Sequence, residues 1–254
     1  MNSSLTRKFN DAPYAMAAIR CLPAWLLVYL AVTSSLAQEE PAPLCKATPG
    51  IKSLVNPKTV LNDFFVRDYE GQESFCTSML KSGGAQPANK ADDMAQHNWS
   101  CKYGTPKLFD GNPATAWAEG VAGNGAGEMV LVTGAVNPSR AVEIWAGLGS
   151  SEALFKANSR PKNIRVHIIK GAPTGAAQTG YNHENVSWVA SMDVTLNDFN
   201  GYQPLPLPGF KKEIFKRDPN EWEYSYWILI ELVDFYPGSK YEDTCIAEVR
   251  NAPN

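Results

Sequence analysis

Residues 108–120 read Leu-Phe-Asp-Gly-Asn-Pro-Ala-Thr-Ala-Trp-Ala-Glu-Gly, four turn formers running straight into Thr-x-Trp. Asp110 can cap a turn with its carboxylate, Gly111 admits positive φ, Asn112 tolerates the left-handed region and Pro113 fixes φ, so a tight loop is expected. Asp110, Asn112 and Thr115 crowd side-chain oxygens onto that loop, and oxygen ligands suit a hard cation such as calcium. A second reading needs no ion: a plain turn stapled into the core by Trp117.

Beyond Lys107 the chain alternates short apolar runs with turn clusters, the pattern of an all-β sandwich or barrel. Strands are expected at Glu128–Val132, Ala141–Trp145, Asn163–Lys170, Ser187–Thr195, Tyr202–Leu207, Tyr224–Val233 and Ile246–Val249, with no long helical period competing. Breakers fall between them: Gly-Ala-Pro-Thr-Gly at 171–175, Asn-Asp-Phe-Asn-Gly at 197–201 and Tyr-Pro-Gly-Ser-Lys at 236–240. No internal repeat or low-complexity tract is present.

Upstream of this domain the chain changes character. Arg7, Lys8 and Arg20 precede an apolar run ending in Ser35-Leu36-Ala37, the form of a secretory signal peptide cleaved after Ala37. Retention of that run would instead anchor the chain to a membrane, although Pro23 inside it disfavours a spanning helix. Residues 38–89 are rich in Pro, Lys, Ser and Gly, too thin in apolar residues for a core of their own, and read as a partly ordered extension held by a disulfide; the piece Val60-Leu-Asn-Asp-Phe-Phe-Val66 suits a helix. The β domain occupies residues 90–254. A secreted or periplasmic location follows from the leader.

The 254 residues carry a net charge of −3, which disfavours nucleic acid as a partner. Of the five cysteines, Cys45, Cys76, Cys101 and Cys245 lie beyond the leader, an even set for an oxidising compartment with three possible pairings. None is spaced C-x-x-C, which disfavours a zinc ribbon.

Several constellations invite chemistry. Gly120-Val-Ala-Gly-Asn-Gly-Ala-Gly127 has the glycines of a phosphate loop, but it follows a loop and opens a strand, where a dinucleotide fingerprint follows a strand and opens a helix. Glu119 and Glu128 are the carboxylates a glycosidase-like hydrolase would need, yet nine residues across a glycine loop fix no geometry. The three histidines, His97, His167 and His183, accompany no G-x-S-x-G or H-E-x-x-H; His167 reads as strand packing and His183 as a polar loop residue. Asn98-Trp-Ser and Asn185-Val-Ser have the form of N-glycosylation sequons, which matter in a eukaryotic secretory pathway. Aromatic residues cluster at Trp222–Trp227 and Phe235–Tyr241, where those left out of the core could form a stacking platform for sugars.

Four blocks in order, Asp110–Gly120, Gly125-Ala-Gly-Glu128, Asn158-Ser-Arg-Pro-Lys162 and Tyr236–Glu248, resemble the discoidin or coagulation-factor C-type jelly roll, and more specifically the discoidin-like domain attached to streptococcal NAD glycohydrolase. The resemblance covers about residues 100–249 and implies a non-catalytic, glycan-binding and translocation module; nothing resembling the catalytic domain is present, so NAD cleavage does not follow. It departs from the relatives at Ile144-Trp-Ala-Gly-Leu148, where they tend to carry Asn-Gly-Tyr.

The resemblance further implies a structural calcium held by Asp110, Thr115 and Glu248 with the carbonyls of Leu108, Asn112 and Ile246. A metal shared by those segments would bring the neighbourhoods of Cys101 and Cys245 together, favouring Cys101–Cys245 with Cys45–Cys76. For the ligand, a glycan or cell-envelope component, it puts Trp145, Asn158, Arg160, Tyr236 and Tyr241 on or near loops at one end of the sandwich. A protein-interaction module is the alternative.

Overall fold

The computed structural model describes residues 44–67, 73–133, 136–177, 180–217 and 219–253. The segment expected to be a leader, residues 1–37, lies outside them. Among the described residues no helix is long and apolar enough to cross a membrane.

The architecture is a mostly antiparallel β-sandwich with few helices, the all-β discoidin-like class expected. The large sheet runs, in spatial order, Val60–Leu61, Gly180–Thr195, Arg160–Ala177, Ser225–Tyr236 and Met129–Val132, with Phe64–Arg67 also on the Gly180 strand. A smaller sheet joins Gln203–Pro204, Val142–Trp145 and Glu248–Asn251. Alternation places Ile164, Val166, Ile168, Ile228, Ile230 and Leu232 on one face of the large sheet, where they meet Val142, Ile144 and Val249 of the small one in the main core.

The opening stretch takes its place in this core through Trp117, which is fully buried and donates its indole N–H to the Ser78 carbonyl at 3.1 Å. Trp117–Ala118 pairs with Cys245–Ile246, so the turn is fastened to the end of the chain as well as to the core.

The two central strands are longer than the sequence suggests, because the 171–175 segment read as a breaker continues as strand. Register shifts at Lys170/Ala172 and Pro173/Gly175 absorb its Gly and Pro residues as bulges. By contrast Tyr202–Leu207 contributes only Gln203–Pro204, since Pro206, and Pro208 just beyond, lack the N–H that a longer ladder needs.

The extension is where the structure adds most. The helix expected at Val60–Val66 is instead two strands, Val60–Leu61 and Phe64–Arg67, because a β-rich Phe-Phe-Val run finds an open sheet edge beside it. Farther on, Phe75 and Thr77 bond the opposite edge: Leu131 donates to the Phe75 carbonyl at 2.8 Å and Thr77 to that of Met129 at 2.9 Å. Between them the short helix Pro49–Val55 lays Ile51 and Leu54 on the outer face of the sheet, against Met129, Leu131, Ile169 and Leu229. The extension has no core alone, but it completes a second core on the far side of the sheet.

The cysteine pairing differs from the expectation. Cys45 is bonded to Cys101, with Cα atoms 5.1 Å apart, in place of Cys101–Cys245 and Cys45–Cys76. Helix Asp93–Ser100 delivers Cys101 to the start of the extension, where Ser100 Oγ also accepts the Cys45 N–H at 3.0 Å. Cys76 packs in the main core, and Cys245 packs with Ala116, Ala118 and Ala247. Burial pushes both thiols up to about 12 and keeps them protonated. The turn Thr105–Leu108 separates Cys101 from the Asp110 loop, so proximity of that loop to the last strand does not carry the cysteine with it.

The bridge closes a sequence separation of 56 residues, which in the chain-entropy model stabilises by about 4 kcal/mol. The double variant Cys45→Ser, Cys101→Ser should lose roughly that amount in urea unfolding, whereas Cys76→Ala should cost only about 1–2 kcal/mol for a small buried side chain. Equal stability of the cysteine-bridge variant and wild type would refute the assigned pairing.

Candidate ligand-binding end of the sandwich

Strand register determines which loops share an end. Tyr236 pairs with Arg160, Thr195 with Asn163, and Gly127 donates to the Leu232 carbonyl, so the loops before Met129 and Arg160 and after Thr195 and Tyr236 gather at one end. The Asp110 turn joins them where Gly149 donates to the Pro113 carbonyl at 2.8 Å.

Arg160 organises this end. It is 4% exposed, and its guanidinium pairs with Asp198 through Nε at 2.7 Å and Nη2 at 3.2 Å. Its Nη1 donates to the Asn158 carbonyl at 2.7 Å and also reaches the Phe155 and Pro237 carbonyls, while the group lies over the buried Phe155 ring. Asp198 also receives Lys156 at 2.7 Å, and these cations hold its carboxyl below the usual range against the opposing pull of burial. Three loops are thereby fixed by one ion cluster.

Asn158 spends its amide as the C-terminal cap of helix Glu152–Ala157, donating to the Leu154 carbonyl at 2.8 Å. Trp145 is half-buried, donating to Asn200 Oδ1 at 3.1 Å with its ring edge-on to Tyr202. Tyr236 donates its hydroxyl to the Leu196 carbonyl at 3.0 Å. Tyr241 is 41% exposed and carries Lys240 over its ring. The structure thus brings all five residues to one end, with Arg160 and Asn158 turned inward and Tyr241 outward.

Sequence reasoning missed three organisers and one exposed ring. Ser159 Oγ accepts from Asn124 and Gly238, and Thr244 Oγ1 donates to the Asn124 carbonyl, which locks the glycine loop to the Tyr236–Thr244 segment. Asp198 was visible only as part of a turn. Phe199, at the tip of the same Asn-Asp-Phe-Asn-Gly turn, is 55% exposed; an aromatic at the apex of a polar turn was the available signal.

Glu119 is fully buried, its carboxylate accepting the Val121 N–H at 2.9 Å and the Thr244 N–H at 3.2 Å. Burial lifts it to about 7, against those two N–H donors. A side chain on Gly125, which sits at φ 75°, would collide with it, so the glycine loop wraps around this carboxyl and not around a phosphate. Glu128 accepts the Thr77 hydroxyl at 2.6 Å. The two acids proposed for hydrolysis are therefore both engaged in tying loops, and Glu119 is closed to solvent. His167 packs in its strand beside Glu231, and His183 is a buried strand residue against Trp227, not a loop residue.

In the Asp110 turn, Gly111 takes φ 72°, Asp110 Oδ1 accepts the Asn112 N–H at 3.0 Å, and Thr115 donates its hydroxyl to Asp110 Oδ2 at 2.7 Å. Glu248 reaches the same turn from the last strand and accepts the Asn112 N–H at 2.8 Å. Burial, with the Asp110 carboxyl pressed against it, raises Glu248 to about 7, opposed by the N–H groups of Asn112 and Gly111. Two crowded carboxyls, compensated only by a partly exposed Lys107 at 3.4 Å, fit a place for a cation. Among the described residues no three His, Cys, Asp or Glu converge. A cation here would rest on two carboxylates plus hydroxyl and carbonyl oxygens, a hard donor set suited to calcium and not to zinc.

The family model for the NAD glycohydrolase translocation F5/8 type C domain matches residues 80–251. Searches of curated proteins and of solved structures find no match.

Two outcomes follow from this geometry. Arg160 is buried whereas Asp198 reaches solvent and keeps Lys156, so Arg160→Ala should cost about 1.5–3 kcal/mol in chemical denaturation for its lost charge-assisted hydrogen bonds; a variant as stable as wild type would mean that the cluster is not structural. Folded Glu119 and Glu248 hold protons between about pH 4.5 and 7 that the unfolded chain has lost. Stability in chelator should therefore fall as pH rises through that window and level off above it, and Glu248→Gln should flatten the slope.

Proposed function

The chain belongs to the NAD glycohydrolase translocation F5/8 type C domain family, and on that premise we propose that it is a secreted or periplasmic, non-catalytic binding module that recognises carbohydrate through the loops at one end of a calcium-stabilised sandwich. One observation carries the reading. The loops at that end are locked together from beneath by Arg160, Asp198 and Ser159, while Phe199 and Tyr241 remain exposed on the rigid base. Exposed rings on a fixed frame suit sugars, whose C–H faces stack on aromatics, because little ordering is left for the ligand to impose.

In this reading Tyr241, Phe199 and Trp145 contact the glycan, while Arg160, Asn158 and Tyr236 position the loops. Asp110, Thr115 and Glu248, with carbonyls of Leu108, Asn112 and Ile246, hold the calcium, which relieves the repulsion between the two carboxyls and fastens the turn to the last strand. A cell-envelope protein is the second reading, favoured by Ile214 and Trp222, exposed on the hairpin Ile214–Arg217/Asn220–Glu223.

A glycan array should return a defined class of sugars. Tyr241→Ala and Phe199→Ala should each weaken binding about tenfold, the order of a lost stacking face, with melting temperature unchanged. Normal binding by both variants would move the site off this end. Calcium should raise the melting temperature, more at pH 8 than at pH 5, and Asp110→Ala should abolish the effect; identical melting with calcium and with chelator would remove the ion from the proposal.

A further inference from the structure

Beyond residue 37 the sequons Asn98-Trp-Ser and Asn185-Val-Ser remain outside the function described above, and the fold treats them differently. Asn185 is exposed and takes φ 53°, the single non-glycine residue with positive φ among the described residues. It sits where the pairing between Arg160–Ala177 and Gly180–Thr195 is irregular, beyond Lys170↔Ser187 and before Ala172↔Glu184. Its backbone N–H bonds Asn62 Oδ1, while its carboxamide has no partner among the described residues. Ser187 folds its hydroxyl back onto the Asn185 carbonyl at 3.2 Å, so acceptor and hydroxyl lie on one compact kink at the surface.

Asn98 is placed otherwise. It lies inside helix Asp93–Ser100, its Ser100 hydroxyl is buried, accepting from Cys45 and donating to the His97 carbonyl, and the next residue is bridged to Cys45. Asn98 is itself exposed, but in the folded chain the Ser100 hydroxyl of its sequon is buried and engaged.

We propose that Asn185 is an N-glycosylation site, modified in a secretory lumen by transfer from a lipid-diphosphate-linked oligosaccharide. Asn185 Nδ2 bonds to the anomeric carbon of the sugar, the bond from that carbon to the diphosphate oxygen breaks, the lipid diphosphate leaves with the electron pair, and one amide proton passes to solvent. Asn185 is exposed on this kink, so a glycan there would face solvent. It also lies ten residues of extended strand from Thr195, roughly 30 Å from the clustered loops, so the modification leaves that end uncovered.

The test is secretion of the full chain, with its own leader, from a eukaryotic cell. The secreted protein should carry a glycan that an amidase specific for Asn-linked sugars removes, leaving a carboxylate at position 185. Asn185→Gln and Ser187→Ala should each abolish the glycan, and Asn98→Gln should retain it. Ser187→Ala keeps Asn185 and its backbone, so it decides the matter if Asn185→Gln fails to fold. An unmodified secreted chain, a chain retained unmodified in the cytosol, or a glycan that survives Ser187→Ala would overturn the assignment.

Discussion

A twisted antiparallel sheet leaves rows of unpaired N–H and C=O groups at both edges, and an outer face with nowhere to hide its apolar residues. Much of this molecule is arranged to solve that problem. Residues 44–67 and 73–80 reach both edges, pairing with the Gly180 strand at Val60–Arg67 and with the Met129 strand at Phe75–Thr77. Ahead of both pairings, Ile51 and Leu54 cover Met129, Leu131, Ile169 and Leu229. The same segment then receives Trp117 at Ser78 and Ala118 at Leu80, which sets the entry of the Asp110 turn.

With its sheet closed, the molecule can devote polar side chains to one end without paying in the core. The ion cluster of Arg160, Asp198 and Lys156, the hydroxyl of Ser159 and the carboxyl of Glu119 each bind backbone or side-chain groups from a different loop. Buried polar groups that are fully partnered in this way fix one arrangement of loops among many of similar energy. Phe199, Lys240 and Tyr241 are left facing water on the same loops.

The fold class was legible because alternation and turn chemistry agree throughout residues 128–249, and the Asp110 turn was legible because each of its four residues has a local reason to be there. Other features depend on partners distant in sequence. No periodicity reveals that Arg160 would meet Asp198, or that Phe-Phe-Val at 64–66 would find a free edge 117 residues downstream. Glycines at 171 and 175 signalled a break, since bulges leave the same composition as loops. The cysteines misled for a related reason: pairing follows the path of a helix and a tight turn, neither of which constrains the other in sequence.

The family match begins at residue 80, while the bonds that close the large sheet begin at residue 60 and the covalent tie at residue 45. The family match and the folded sheet therefore begin at different places in the chain. A recombination event that moved only the matched portion into a new gene would carry the Asp110 turn and the clustered loops and leave behind both seams of the sheet. For such a portion to travel, the recipient chain must supply a strand for each seam, and the capacity to lend strands becomes as much a condition of its spread as anything it binds.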